Sequence, residues 1–147
     1  MKQFLLSFTS LALIGVFGIN DADAAEQEEV ADLVNEEREE RGLDPLELDE
    51  DLSEVAQVKS EDMNENNYFS HVSPVYGTPF EMMSDFGIEY MRAAENIAMG
   101  QQTSEQVMDG WMASDGHRQN ILDPELTHIG VGYEEDGNYW TQMFISE

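Results

Sequence analysis

"THIGVGYEEDGNYWTQMFIS", residues 127–146, decides the fold class of this chain. Residues 127–133 alternate apolar and polar or glycine, the period of a strand with one buried face. Asp136-Gly137 is a tight-turn signal, and 139–146 is rich in aromatic and β-prone residues. Together they read as a β-hairpin. What precedes it has the period of helices. Val30, Leu33 and Val34 lie at i, i+3, i+4 in a stretch from Glu26 to Arg41 that Gly42 stops. Leu52, Val55, Ala56 and Met63 share one face of a second helix running to about Glu65, with Asp49, Glu50 and Asp51 favouring its N-terminus through the helix dipole.

Between helix two and the hairpin, 66–79 reads as a loop, and Phe80, Met82, Met83 and Phe86 as a short helix ended by Gly87. Residues 89–100 read as an extended segment. Thr103 with Gln106 forms a capping box that opens a third major helix, its stripe of Val107, Met108, Trp111 and Met112 ending near Ser114. Helices followed by paired strands predict a layered α+β domain.

Composition narrows the function. The 147 residues carry 32 acidic and 6 basic side chains, a formal net charge of −26. Such a surface repels nucleic-acid phosphates and anionic membranes, and its self-repulsion is relieved by salt, which hints at a halophilic habitat. The acids are spread along the chain and 41% of residues are hydrophobic, so a globular domain rather than a disordered one is expected. Lys2, the 16-residue apolar run Phe4 to Ile19 and the small-x-small pattern Ala22-Asp23-Ala24 read as a signal peptide over residues 1–24. That leaves one domain, 25–147, secreted or at the cell envelope. With no cysteine, its core must hold without disulfides.

Four residues invite chemistry: His71 in "YFSH", Glu95 in "AAENIA", and Asp115 and His117 in "SDGHRQNIL". Imidazole nitrogen and carboxylate oxygen suit zinc and related divalent ions. Asp115 and His117 would splay on a helix, but Gly116 permits a turn that puts both on one side. Each also has a plainer role: His71 as a packed loop residue, His117 as a helix C-cap, Glu95 as a backbone acceptor. His128 reads as a strand residue. Ser70, Ser73 and Ser114 are poor nucleophile candidates, because no Gly-x-Ser-x-Gly elbow occurs. The acids of 49–62 read as solvated charge on an amphipathic helix.

With these pieces in order, the chain resembles the CAP superfamily, the SCP or PR-1-like domains, in its compact bacterial secreted form. The resemblance lies in "LVNEEREERGLDPLELDEDLSEVAQVKSEDM" (33–63), "YFSHVSP" (68–74), "AENIAMG" (94–100), "VMDGWMASDGHRQNIL" (107–122), and "HIGVGY" (128–133) followed by "YWTQMF" (139–144). It implies an α-β-α sandwich with a central antiparallel sheet flanked by helices. It also implies a cleft in which two histidines and two acids bind a divalent ion such as Zn2+, with His71, Glu95 and His117 as metal ligands. The second acid departs from the better-known eukaryotic pattern: Ser114 stands nearest its position, and Asp115 is the closest carboxylate. Its loss would weaken metal binding or leave a water there.

The resemblance does not settle the activity. The leading expectation is a monomeric CAP domain binding a small ligand, lipid or envelope partner in a cleft lined by His71, Glu95, Asp115 and His117. The alternative is a metal-dependent hydrolase with Glu95 or Asp115 as general base. A structural envelope or spore-associated protein would need neither cleft nor metal.

Overall fold

The computed structural model describes residues 21–147; the apolar run 4–19 and most of the expected signal peptide lie outside them. The chain order is α1 (Asp21–Glu39), β1 (Glu47–Leu48), α2 (Glu50–Glu65), α3 (Pro79–Asp85), β2 (Arg92–Met99), α4 (Ser104–Met112), α5 (Asp115–Ile121), β3 (His128–Glu134) and β4 (Tyr139–Ser146). The sheet runs β1-β3-β4-β2. Three strands are antiparallel, as expected; the two-residue β1 joins β3 in parallel, Glu47 opposite His128.

Local chemistry explains most boundaries. Asp49 caps α2 by accepting the Leu52 N–H, and Thr78 and Glu81 close a reciprocal capping box at α3. At α4, Thr103 accepts from Gln106 N–H, while the Gln106 side chain reaches one residue further back, to the Gln102 N–H. The hairpin turn has φ of 106° at Gly137 and 53° at Asn138, a left-handed pair that the Asp-Gly-Asn sequence tolerates. One expectation is corrected. Residues 115–121 form a helix that starts after Ser114, whose carbonyl accepts the Arg118 N–H, so Gly116 makes no turn.

The hairpin's alternation splits the core into two layers. Trp140 and Phe144 of β4, with Ile129 and Val131 of β3, pack against Val30 and Val34 of α1, Val107 and Trp111 of α4, and Ile121 of α5. Met143 and Ile145, on the opposite face of β4, pack against Leu52, Val55 and Ala56 of α2 and Met82 and Met83 of α3. The result is the α-β-α sandwich. Beyond the short β1, α2 itself covers the flank of β3: Ser53 accepts the Val131 N–H, and the Gln57 amide pairs with both backbone groups of Tyr133. Arg38, fully buried, ties the end of α1 to the carbonyls of Asp44, Ile121 and Asp123.

Candidate functional site

The site lies along β2, the edge strand, where groups from both helical layers reach round the sheet. An uncovered edge exposes unpaired backbone groups. Here Asn120 of α5 donates to the Glu95 carbonyl and the Trp111 indole to that of Ile97. Asn96, buried on β2, binds the His117 carbonyl, Gln142 and Asn120 through its amide. This network of amides holds α5, and with it His117, beside β2.

The loop 67–77 delivers His71. It leaves α2 through Asn67 at φ 51° and closes on a Ser73–Gly77 bridge. Asp62, buried on α2, accepts from Asn66, the Tyr68 hydroxyl and Ser73 Oγ, while Ser73 Oγ in turn accepts the N–H groups of Val75 and Tyr76. Asp62 therefore organises the loop rather than being solvated charge, and Ser73 is committed to it rather than serving as a nucleophile. Lys59, one turn earlier and 1% exposed, donates from Nζ to the His71 carbonyl and lies over the Tyr68 ring. Its ammonium charge also acts on Glu95 and Asp62.

His71 and Glu95 meet, Nδ1 to Oε1, at 2.8 Å. The imidazole is 52% exposed, whereas the carboxylate is 2% exposed. Glu95 Oε2 is buried with no hydrogen-bond partner. Burial pushes the Glu95 carboxyl above its ordinary range, opposed by the His71 hydrogen bond and the charges of Lys59 and His71. His117 is half-buried, and burial together with the nearby His71 pushes its imidazole below its ordinary value, favouring the neutral form that can act as ligand or base. Asp115 stands apart: 85% exposed and paired with Arg118 at 2.5 Å, it lies two residues from His117 on a helix, about 200° round the axis.

Two grooves flank these groups. One, about 460 Å³, is lined by His71, Val72, Thr78, Pro79, Phe80, Ala93, Ala94, Glu95 and Asn120. The other, about 250 Å³, contains Phe69, Met99, Trp111 and His117.

The pKa direction of Glu95 fixes a pH effect. Between the ordinary carboxylate pKa and the raised native one, the folded chain holds more protons than the unfolded chain. Stability is therefore lost as pH rises through that window. In chelator-treated protein, urea midpoints across the acid range should show this decline, and Glu95→Gln should make it shallower, Glu61 and Glu29 keeping the remainder.

Sequence inspection named His71, Glu95 and His117, of which the structure joins His71 and Glu95 directly, but missed Lys59, Asp62 and Asn120. Lys59 and Asp62 sit at polar positions of an amphipathic helix and give no periodic sign of burial. The Asn120 amide has only its position one turn after His117 as a signal.

Comparison with known proteins places the chain in a family. The model of the CAP family, described as the cysteine-rich secretory protein family, matches residues 31–145. The protein YkwD of Bacillus subtilis, described as uncharacterised, is 56% identical over 124 residues, 84% of this chain and 48% of that one. YlbC of the same organism, described as an uncharacterised membrane protein, is 42% identical over 81% of this chain and 34% of its own. The chain thus spans half or less of the length of these relatives. Among solved structures, an extracellular SCP-domain protein from Bacillus anthracis superposes with a TM-score of 0.82 and 34% identity, over 85% of this chain and 41% of that one. The venom allergen-like protein 4 of Schistosoma mansoni, at 15% identity, a TM-score of 0.64 and coverage of 82% and 88%, shares the fold.

Proposed function

We propose, from the premise that this chain belongs to the CAP family, that its His71–Glu95–His117 cleft is a ligand-binding site operating outside the cell or at its envelope. One observation carries this reading: Glu95 Oε2 is buried without a partner at the groove that His71 lines. An orphaned buried acceptor is costly, and a ligand that brings a donor or cation to it recovers that cost. Val72, Pro79, Phe80, Ala93 and Ala94 supply the apolar wall for the rest of the molecule. The fitting ligand therefore has a cationic or hydrogen-donating head and an apolar body.

A divalent cation is the other candidate for these donors, although the ligand atoms of His71, Glu95 and His117 do not converge within 4.8 Å as they stand, so His117 would have to move toward the His71–Glu95 pair. Glu95, His71 and His117 would hold zinc, which when bound acts as a Lewis acid. Lys59 opposes it, and Asp115, turned outward, supplies no second carboxylate, so binding is expected to be weaker than in a site with two acids. The raised pKa of Glu95 beside His71 favours, as second reading, a hydrolase with Glu95 as general base.

Zinc titration calorimetry in moderate salt tests the cleft. Wild type should take up one equivalent more than His71→Ala/His117→Ala, and Glu95→Gln should lose the same equivalent. If the double variant binds zinc as wild type does, the cleft is not a metal site. The apolar-ligand reading would be sunk if a panel of amphiphilic cations bound wild type and Glu95→Gln equally.

A further inference from the structure

We infer that Asp49, His128 and Glu147 form a second divalent-cation site, at the end of the sheet where β3 begins and β4 ends. Among the described residues, this is the set of three whose ligand atoms all lie within 4.8 Å of one another. One zinc ion with ligand lengths of about 2.0–2.2 Å needs its donors about 3–4 Å apart, a contraction within the reach of side-chain rotation. The positions follow from the fold. Asp49 is the N-cap of α2, His128 opens β3, and Glu147 follows the end of β4, whose Ile145 pairs with His128.

The imidazole provides the argument beyond carboxylate clustering. Its ring is 16% exposed, and Nδ1 lies 2.7 Å from Thr127 Oγ1. That hydroxyl accepts the Glu147 N–H and, in the tautomer where its own proton goes to the Ile145 carbonyl, accepts from Nδ1 as well. In that tautomer the ring proton sits on Nδ1 and the lone pair is on Nε2. Nε2 faces Glu47 Oε2 at 3.2 Å and Glu147 Oε2 at 4.0 Å. A lone pair directed at carboxylates is repulsive unless a proton or cation lies between them. Among the described residues, no lysine or arginine pairs with Glu47, Asp49 or Glu147. A histidine oriented through its second nitrogen is also how proteins present Nε2 to a metal. One nitrogen among carboxylate oxygens selects a borderline ion of the zinc class.

The site is independent of the cleft, and so is its test. Zinc calorimetry and thermal unfolding are run on the full chain carrying His71→Ala/His117→Ala. One equivalent of binding should remain, with a zinc-dependent rise in Tm, because the ion joins the start of α2 to both hairpin strands. Adding His128→Gln should abolish both. Glu147→Gln, at an exposed position, and Asp49→Ser, which keeps the N-cap, should each weaken binding about tenfold or more. Retention of wild-type stoichiometry in the cleft variant with its loss in His128→Gln alone supports this site and sinks the cleft's. Absence of zinc binding in the cleft variant, or binding untouched by His128→Gln, overturns it and leaves His128 as an imidazolium partner for the surrounding acids.

Discussion

Gly132→Ala should unfold or grossly destabilise the protein, with a loss at or above the top of the about 1–3 kcal/mol range for overpacking. A Cβ at Gly132 would lie 2.3 Å from the backbone C and O of Ala56 and 2.5 Å from Gln57 N. Gly130 meets Leu52 in the same way, at 2.4 Å. The obstacle is helix backbone, which cannot rotate aside as a side chain can. Any retreat of α2 would also break the Gln57 bonds to Tyr133 and the Ser53 bond to Val131. Gly116→Ala is the control: nothing lies within 4 Å of its Cβ position, in the helix α5. It should stabilise by about 0.5–1 kcal/mol. Urea denaturation of the two variants measures both; a mild Gly132→Ala would show that the contact between α2 and β3 is not rigid.

The second large effect is expected at Lys59. Replacing it with Met keeps much of the volume but removes a buried cation whose charge acts on Glu95 and Asp62. No ion pair within 4 Å joins Lys59 to either acid, so the loss combines the Nζ bond to the His71 carbonyl with the longer-range charge effect, about 1–3 kcal/mol. Asp62 keeps its three donors, so Glu95 bears most of the charge effect. Lys59→Met/Glu95→Gln should therefore recover part of the stability, with a non-zero coupling in the double-mutant cycle. Amide exchange should also quicken in 67–77, because the bond from Lys59 to the His71 carbonyl is gone. Additive single effects would mean that Lys59 serves the loop alone and not the carboxylate.

Lys59 also marks where legibility in the sequence stops. The spacing of Leu52, Val55, Ala56 and Met63 is a fact of one helix, readable without knowing what covers it. Whether Lys59 and Asp62 on that helix are solvated depends on the loop 67–77 folding back over them, a contact between segments with no shared periodicity. His71 and Glu95 stood out individually, through an irregular aromatic setting and through the resemblance. Their 2.8 Å contact, and the orphaned oxygen beside it, could not. For Asp115 a helix overrode the turn that Gly116 permits. Glycine allows a turn without requiring one, and the Ser114 start with α5 packed on β2 decided otherwise.

By itself the sequence determined the α+β layering, the hairpin and its turn, the helix caps and the separation of apolar faces, because each is set by residues a few positions apart. It also carried the ordered motifs that identify the family. Only the tertiary structure decided which polar groups are buried, which carboxylate lacks a partner, that Asp115 turns outward, and that His128 converges with Asp49 and Glu147. These depend on desolvation and on distances between elements far apart in the chain, which local pattern does not encode.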